Sequence, residues 1–163
     1  MDAQQLLDHI IKPTHIYMGR NYESKNSNML SLATAAVEGR CGYFIKQING
    51  PALGVWHMEP KTHNSIWANC DALRNPHFSV QIKKLMIKKS PMDATKNLII
   101  SPMYSCAMAR LKYAMDPNQL PYYKDIHSVY TYYKRIFNTE LGATTYAKFK
   151  QAWIYHKLNE IEL

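Results

Sequence analysis

Apolar residues recur along this chain at helical intervals, and proline, glycine and asparagine break the pattern into segments. Leu6, Leu7, Ile10 and Ile11 share one face of residues 3–11, and Pro13 is expected to close that segment. The polar run 20–28 reads as a loop ending in an N-cap at Ser27 or Asn28. Met29, Leu32, Ala33, Ala36 and Val37 then predict a buried helix over 29–38, stopped by Gly39 and Gly42. Residues 43–58 change character. Tyr43, Phe44 and Ile45 are strand-prone, Asn49-Gly50-Pro51 signals a turn, and Leu53, Val55 and Trp56 follow, which reads as a short β-like excursion. Further helices are expected from Pro60 to about Leu73, over 77–89, and from Pro102 to Met115 behind an N-cap at Ser101. Two more are expected over 125–137 and over 145–159, the latter capped by Thr144. The expected class is mainly α, a single domain over residues 1–163 with one β-like excursion near 43–58.

Composition narrows the partners. Apolar residues make up 47% of the chain and charged residues 20%, ordinary globular usage that excludes wholesale disorder. No run approaches the roughly 18 apolar residues that mark a membrane-spanning helix, so no membrane span is expected. The opening MDAQQLLDHI has neither the basic nor the apolar region of a secretory signal. Cys41, Cys70 and Cys106 are too few and too scattered for a disulfide framework or a metal knuckle, and read as buried or free thiols of a reducing compartment. His57, His63 and Cys70 have no recognised ligand spacing, so no metal and no cofactor is expected. Twenty Lys and Arg against twelve Asp and Glu give a formal charge of +8, which favours an anionic partner: nucleic acid, lipid headgroups or an acidic wall polymer. Lys83, Lys84, Lys88 and Lys89 form the densest basic run, a solvated face or an attractor for such polymers.

The residues that carry chemistry lie between 35 and 63. Ala35-Ala36-Val37-Glu38-Gly39 puts a carboxylate at the end of an apolar helix, where partial burial would raise its pKa and let it hold a proton near neutrality. Gly50-Pro51-Ala52-Leu53-Gly54-Val55-Trp56-His57-Met58-Glu59-Pro60-Lys61-Thr62-His63 follows, a glycine-bearing turn leading into a helix. Its glycines would allow an extended polymer to approach the backbone closely. Trp56 either lines a groove or belongs to the core. Glu59 is either a second carboxylate for a hydrolase or an acid held beside a helix N-terminus by the dipole. Tyr122, Tyr123, Tyr130, Tyr132 and Tyr133 are either a sugar-stacking wall or packing residues.

The two stretches together resemble the signature of soluble lytic transglycosylases and goose-type lysozymes, in which a catalytic Glu closes a helix ahead of a Gly-x-x-Gly-Leu-Met-Gln-x-x-Pro-x-Thr stretch. The form of residues 50–67, GPALGVWHMEPKTHNSIW, is most similar to small peptidoglycan-degrading virion proteins of tailed phages. Ala107–Tyr113 resembles the helix packed behind that family's active site, and Phe137-Asn138-Thr139-Glu140-Leu141-Gly142 faintly resembles its Ala-Tyr-Asn-x-Gly motif. The resemblance implies a lysozyme-like fold, Glu38 as the catalytic acid/base, and Gly54, Trp56, His57, Glu59 and Asn138 as substrate-binding residues. Three positions depart from the pattern. Gly39 replaces the usual Ser and His57 the usual Gln. Phe137 stands where a tyrosine hydroxyl faces the catalytic Glu, which implies a less well oriented Glu38.

The resemblance thus implies a peptidoglycan lytic transglycosylase or muramidase. It would be a virion component made in the host cytoplasm and acting at the bacterial cell wall during penetration and genome delivery. Expected partners are peptidoglycan glycan strands, other phage virion proteins and weak nucleic-acid contacts through the basic surface. The alternative is a non-catalytic tail or internal core protein that keeps the fold for docking.

Overall fold

The computed structural model describes residues 1–139 and 142–163. Glu140 and Leu141, in the middle of the 137–142 motif, lie outside the described residues. The class is mainly α, and among the described residues no helix is long and apolar enough to cross a membrane.

The first helical stretch runs from α1 (Ala3–Leu6) through a π-turn (Leu7–Ile11) into α2 (Lys12–Met18), with Asp2 accepting a bond from the Gln5 N–H as its cap. Pro13 therefore does not close the segment. A proline ring collides with the carbonyl four residues back in a regular helix. Here the preceding turn is widened, with the Lys12 N–H reaching Leu7 O five residues back, and the chain stays helical to Met18.

The central helix, α3 (Lys25–Gly39), starts earlier than the polar run suggests. Ser24 is its N-cap, and Ser24 and Ser27 bond reciprocally to each other's backbone N–H. Asn28 is inside the helix, buried, with Oδ1 2.7 Å from His15 Nδ1. Every residue from Ser27 to Ala36 is buried, because α3 contacts α1, the first π-turn and three later helices, over Pro102–Ala114, Ile126–Tyr133 and Tyr146–Tyr155. Its hydroxyls are satisfied internally: Thr34 Oγ1 donates to Leu30 O and lies 2.6 Å from the Tyr113 hydroxyl. Gly39 ends the helix, and Arg40 and Cys41 both take left-handed conformations.

Residues 40–59 form a knot of turns. The β-like excursion is reduced to two antiparallel bridges, Lys46 with Leu53 and Leu53 with Met58, and no strand forms among the described residues. This knot leads into α4 (Pro60–Asn69), a 3₁₀ turn (Asp71–Arg74) and α5 (Pro76–Lys84). The helix expected over 77–89 stops at Lys84. Buried Asn97 takes the backbone beyond it, accepting from the Ile87 and Lys88 N–H groups and donating to Lys88 O, all at 2.8 Å. After α6 (Asn97–Ile100), α7 (Pro102–Ala114) begins behind Ser101 as expected. Then come α8 (Ile126–Tyr133), a second π-turn (Lys134–Asn138) and α9 (Tyr146–Tyr155), whose cap is Thr145 rather than Thr144. One contiguous core joins Leu6, Leu7 and Ile11 to Leu32, Trp56, Tyr104, Tyr133 and Phe149.

Candidate active site

A cleft of about 390 Å³ opens at the C-terminal end of α3. Glu38 lies in it. Gln47, His57 and Glu59 come from the turns, Thr62 from α4, Lys112 from α7, and Phe137, Asn138 and Thr144 from the segment between α8 and α9.

Glu38 is partly buried, and its closest polar partner is Tyr133, whose hydroxyl donates to Oε1 at 2.5 Å. Tyr133 is the last residue of α8, fully buried, with its ring between Phe149 (5.3 Å between centroids) and Phe137 (6.3 Å). Two rings therefore hold the hydroxyl in place. Burial pushes the Glu38 carboxyl above its ordinary range, while the Tyr133 hydroxyl, the Asn138 amide and the Lys134 ammonium each offset part of that rise. The Tyr133 phenol is itself pushed well up by burial and by Glu38, so it remains a donor. The carboxyl thus has a donor on one oxygen and a raised proton affinity, as a general acid requires.

Thr144 and Lys134 complete the floor. Thr144 Oγ1 lies 3.3 Å from both the Tyr133 hydroxyl and Asn138 Nδ2. Lys134 Nζ donates to Asn138 Oδ1 and to Gly142 O, each at 2.7 Å, which pins the chain that follows α8.

Four of the six residues expected in the site line the cleft: Glu38, His57, Glu59 and Asn138. His57 has φ 44° and donates through Nε2 to Phe44 O at 3.2 Å. Burial lowers its pKa, so the ring is neutral near pH 7 and Nδ1 is left as an acceptor. Glu59 is exposed at the start of α4 and makes no capping bond.

Gly54 and Trp56 are not part of the cleft. Gly54 has φ 77°, and a Cβ there would lie 2.2 Å from Leu98 O and 2.5 Å from Ser105 Oγ. Its glycine is required by packing against α6 and α7 rather than by a ligand. Trp56 is fully buried, and its indole N–H donates to Ser31 O on α3 at 2.9 Å, which fastens the turns to the central helix. Gly39 has a similar cause: a Cβ would meet Val55 O at 2.3 Å and Phe44 O at 2.9 Å, so no serine fits there.

The expectation that Phe137 leaves Glu38 without a tyrosine hydroxyl is corrected by the geometry. Phe137 stacks on Tyr113 at 5.6 Å, and the hydroxyl comes from Tyr133, four residues earlier on the same helical face. In the sequence Tyr133 is one of five tyrosines that read either as a sugar-stacking wall or as packing residues. The four-residue offset from Phe137 was the only signal pointing to it.

Burial pushes the Cys41 thiol up to about 12 and Cys106 higher still, so neither is a ready nucleophile. Among the described residues no group of three or more His, Cys, Asp or Glu is placed to hold a metal ion. Comparison with known proteins found no matching family model, no matching curated protein and no matching solved structure.

Proposed function

We propose that this chain is a peptidoglycan-cleaving glycosidase of the lytic transglycosylase or muramidase type, with Glu38 as the acid/base. The observation that carries the reading is the Glu38–Tyr133 pair in the cleft: a half-buried carboxyl with raised pKa and one oxygen fixed by a rigid phenol. The likeness of residues 35–39 and 50–67 to the transglycosylase signature supplies the substrate class and the phage-particle setting.

In the first step protonated Glu38 donates to the glycosidic oxygen, the C1–O bond breaks, and the departing sugar leaves with a free 4-hydroxyl. Positive charge develops at C1 while Glu38 becomes a carboxylate stabilised by Tyr133 and Asn138. In the second step Glu38 takes the proton of the muramoyl 6-hydroxyl, whose oxygen bonds to C1, and a 1,6-anhydro product results. This route needs one carboxylate. Attack by water would call on a second acid, and Glu59, exposed on the cleft wall, is the available candidate. Neutral His57 presents Nδ1 as an acceptor for a sugar hydroxyl or amide.

The test is clearing of purified peptidoglycan by wild type, Glu38→Gln and Glu59→Gln, with mass analysis of the products. Glu38→Gln should lose about 2 orders of magnitude or more. Glu59→Gln should stay within a few-fold and yield anhydro ends. Equal clearing by Glu38→Gln and wild type overturns the proposal.

A further inference from the structure

The lysine run at 83–89 has no part in the Glu38 cleft, whose described lining includes no residue of 76–100. That segment holds α5, a turn, a 3₁₀ stretch (Pro91–Lys96) and α6. It carries five lysines and one acid, Asp93, a net +4 that is half of the chain's +8. The turn before it adds no net charge, since Asp71 pairs with Arg74 at 3.1 Å. The segment also turns four large apolar side chains to water: Val80 (51% exposed), Ile87 (62%), Met92 (92%) and Ile100 (39%).

These residues belong to one lobe with a fixed backbone. Ile82 and Leu98 root it in the core. Between them Asn97 binds both sides of the connection, accepting from the Ile87 and Lys88 N–H groups and donating to Lys88 O at 2.8 Å and to Ala94 O at 3.1 Å. Ser101 Oγ donates to Leu85 O at 2.7 Å, and Lys89 Nζ donates to Lys83 O at 2.9 Å. The turn is thus tied down through its backbone while Ile87, Lys88 and Lys89 stay exposed. On α5, Val80 shares a face with Lys83 and Lys84. The lysines have local contacts, but only one cancels charge: Lys96 pairs with Asp93 at 2.5 Å, whereas Lys83 lies 5.5 Å from the Trp67 ring centroid and Lys89 meets a carbonyl. Among the described residues Lys84 and Lys88 form no ion pair.

A water-borne polyanion would use the lysines and leave the four apolar side chains in water. A bilayer with anionic headgroups uses both, because ammonium groups sit at the phosphate level while aliphatic side chains enter the boundary with the acyl chains. Among the described residues no helix can cross a membrane, so such a contact is peripheral. We propose that residues 76–100 form a docking lobe for the surface of an anionic lipid bilayer. Lys84, Lys88 and Lys89 meet the headgroups, and Ile87 and Met92 penetrate beneath them. The lobe acts independently of Glu38 and gives the chain a second place of attachment.

The experiment is co-sedimentation with vesicles of phosphatidylcholine alone and of phosphatidylcholine with about 30% phosphatidylglycerol, at about 0.15 M salt. The parent should bind the anionic vesicles and not the neutral ones. Lys84→Gln with Lys88→Gln should weaken that binding about 20-fold, since each lysine near the surface contributes about five-fold. A control with the same charge loss on α9, Lys148→Gln with Lys150→Gln, should change it by less than about three-fold. Ile87→Ser with Met92→Ser keeps the charge and should weaken vesicle binding about 10-fold, while eluting from immobilised heparin at the parent's salt concentration. All these side chains are exposed, and circular dichroism checks that each variant is folded. The proposal is overturned if the parent ignores anionic vesicles, if the α9 control loses as much as the lobe lysines, or if the lysine variant binds like the parent. It is equally overturned if Ile87→Ser/Met92→Ser binds vesicles as tightly as the parent, for the lobe then reads charge alone and its partner is a lipid-free polyanion.

Discussion

Tyr133→Phe isolates the contact on which the site depends. Phenylalanine keeps the ring between Phe137 and Phe149 and deletes only the hydroxyl that donates to Glu38. A hydrogen bond to an ionised acceptor is worth about 1.5–3 kcal/mol and one to a neutral acceptor about 0.5–1.5 kcal/mol. Tyr133 therefore favours the Glu38 anion over the acid by about 1–1.5 kcal/mol, close to one pH unit at about 1.4 kcal/mol per unit. Asn138 and Lys134 remain in the variant and keep part of the anion's stabilisation. Removing the hydroxyl should thus raise the Glu38 pKa by about one unit. The direct assay is a ¹³C NMR titration of glutamate carboxyl carbons, with Glu38→Gln used to assign the resonance. In kinetics the general acid must be protonated, so the alkaline limb of the pH–rate profile should move up by the same unit. Because Tyr133 also stabilises the carboxylate formed as the leaving group departs, the plateau rate should fall about 10-fold. A Glu38 pKa that is unchanged or lower in Tyr133→Phe refutes the reasoning, whatever happens to the rate.

Glu38 should also cost the fold stability as pH rises. Its folded pKa lies above its unfolded value, so the cost is absent below the unfolded value and grows until pH passes the folded one. Glu38→Gln should therefore gain in melting temperature over wild type at pH 7 and match it more closely at pH 4; a pH-independent difference would contradict this. Trp56→Ala removes a fully buried indole and its bond to Ser31 O, and should cost about 3–5 kcal/mol in urea unfolding, whereas a groove-lining tryptophan would cost far less. Association with anionic wall polymer should weaken steeply between 0.15 and 1 M salt, as the screening length falls from about 8 to about 3 Å. Affinity that ignores salt would mean that the +8 charge is not what binds.

Much of the fold is legible in short windows of sequence because its causes are local. The buried face of α3, the Ser101-Pro102 start of α7 and the stop near Gly39 follow from periodicity, capping and backbone freedom among neighbouring residues. Glu38 at the end of an apolar helix, with a glycine-bearing turn after it, belongs to the same class of signal, and its place in a cleft follows from that position. Other features depended on partners distant in the chain. Pro13 sits within a continuous helical stretch because a π-turn makes room for it. The helix after Pro76 stops at Lys84 because Asn97 binds the backbone beyond it. Trp56 turns inward because α3 presents a carbonyl to its indole, and Gly54 is glycine because the Leu98 carbonyl leaves no space. The decisive contact of the site joins residues 95 positions apart, Glu38 and Tyr133. No window of sequence contains both. Which of the tyrosines reached the carboxylate was decided by the packing of α8 and α9 against α3, since only the folded core fixes a ring to within the few tenths of an ångström that a hydrogen bond tolerates.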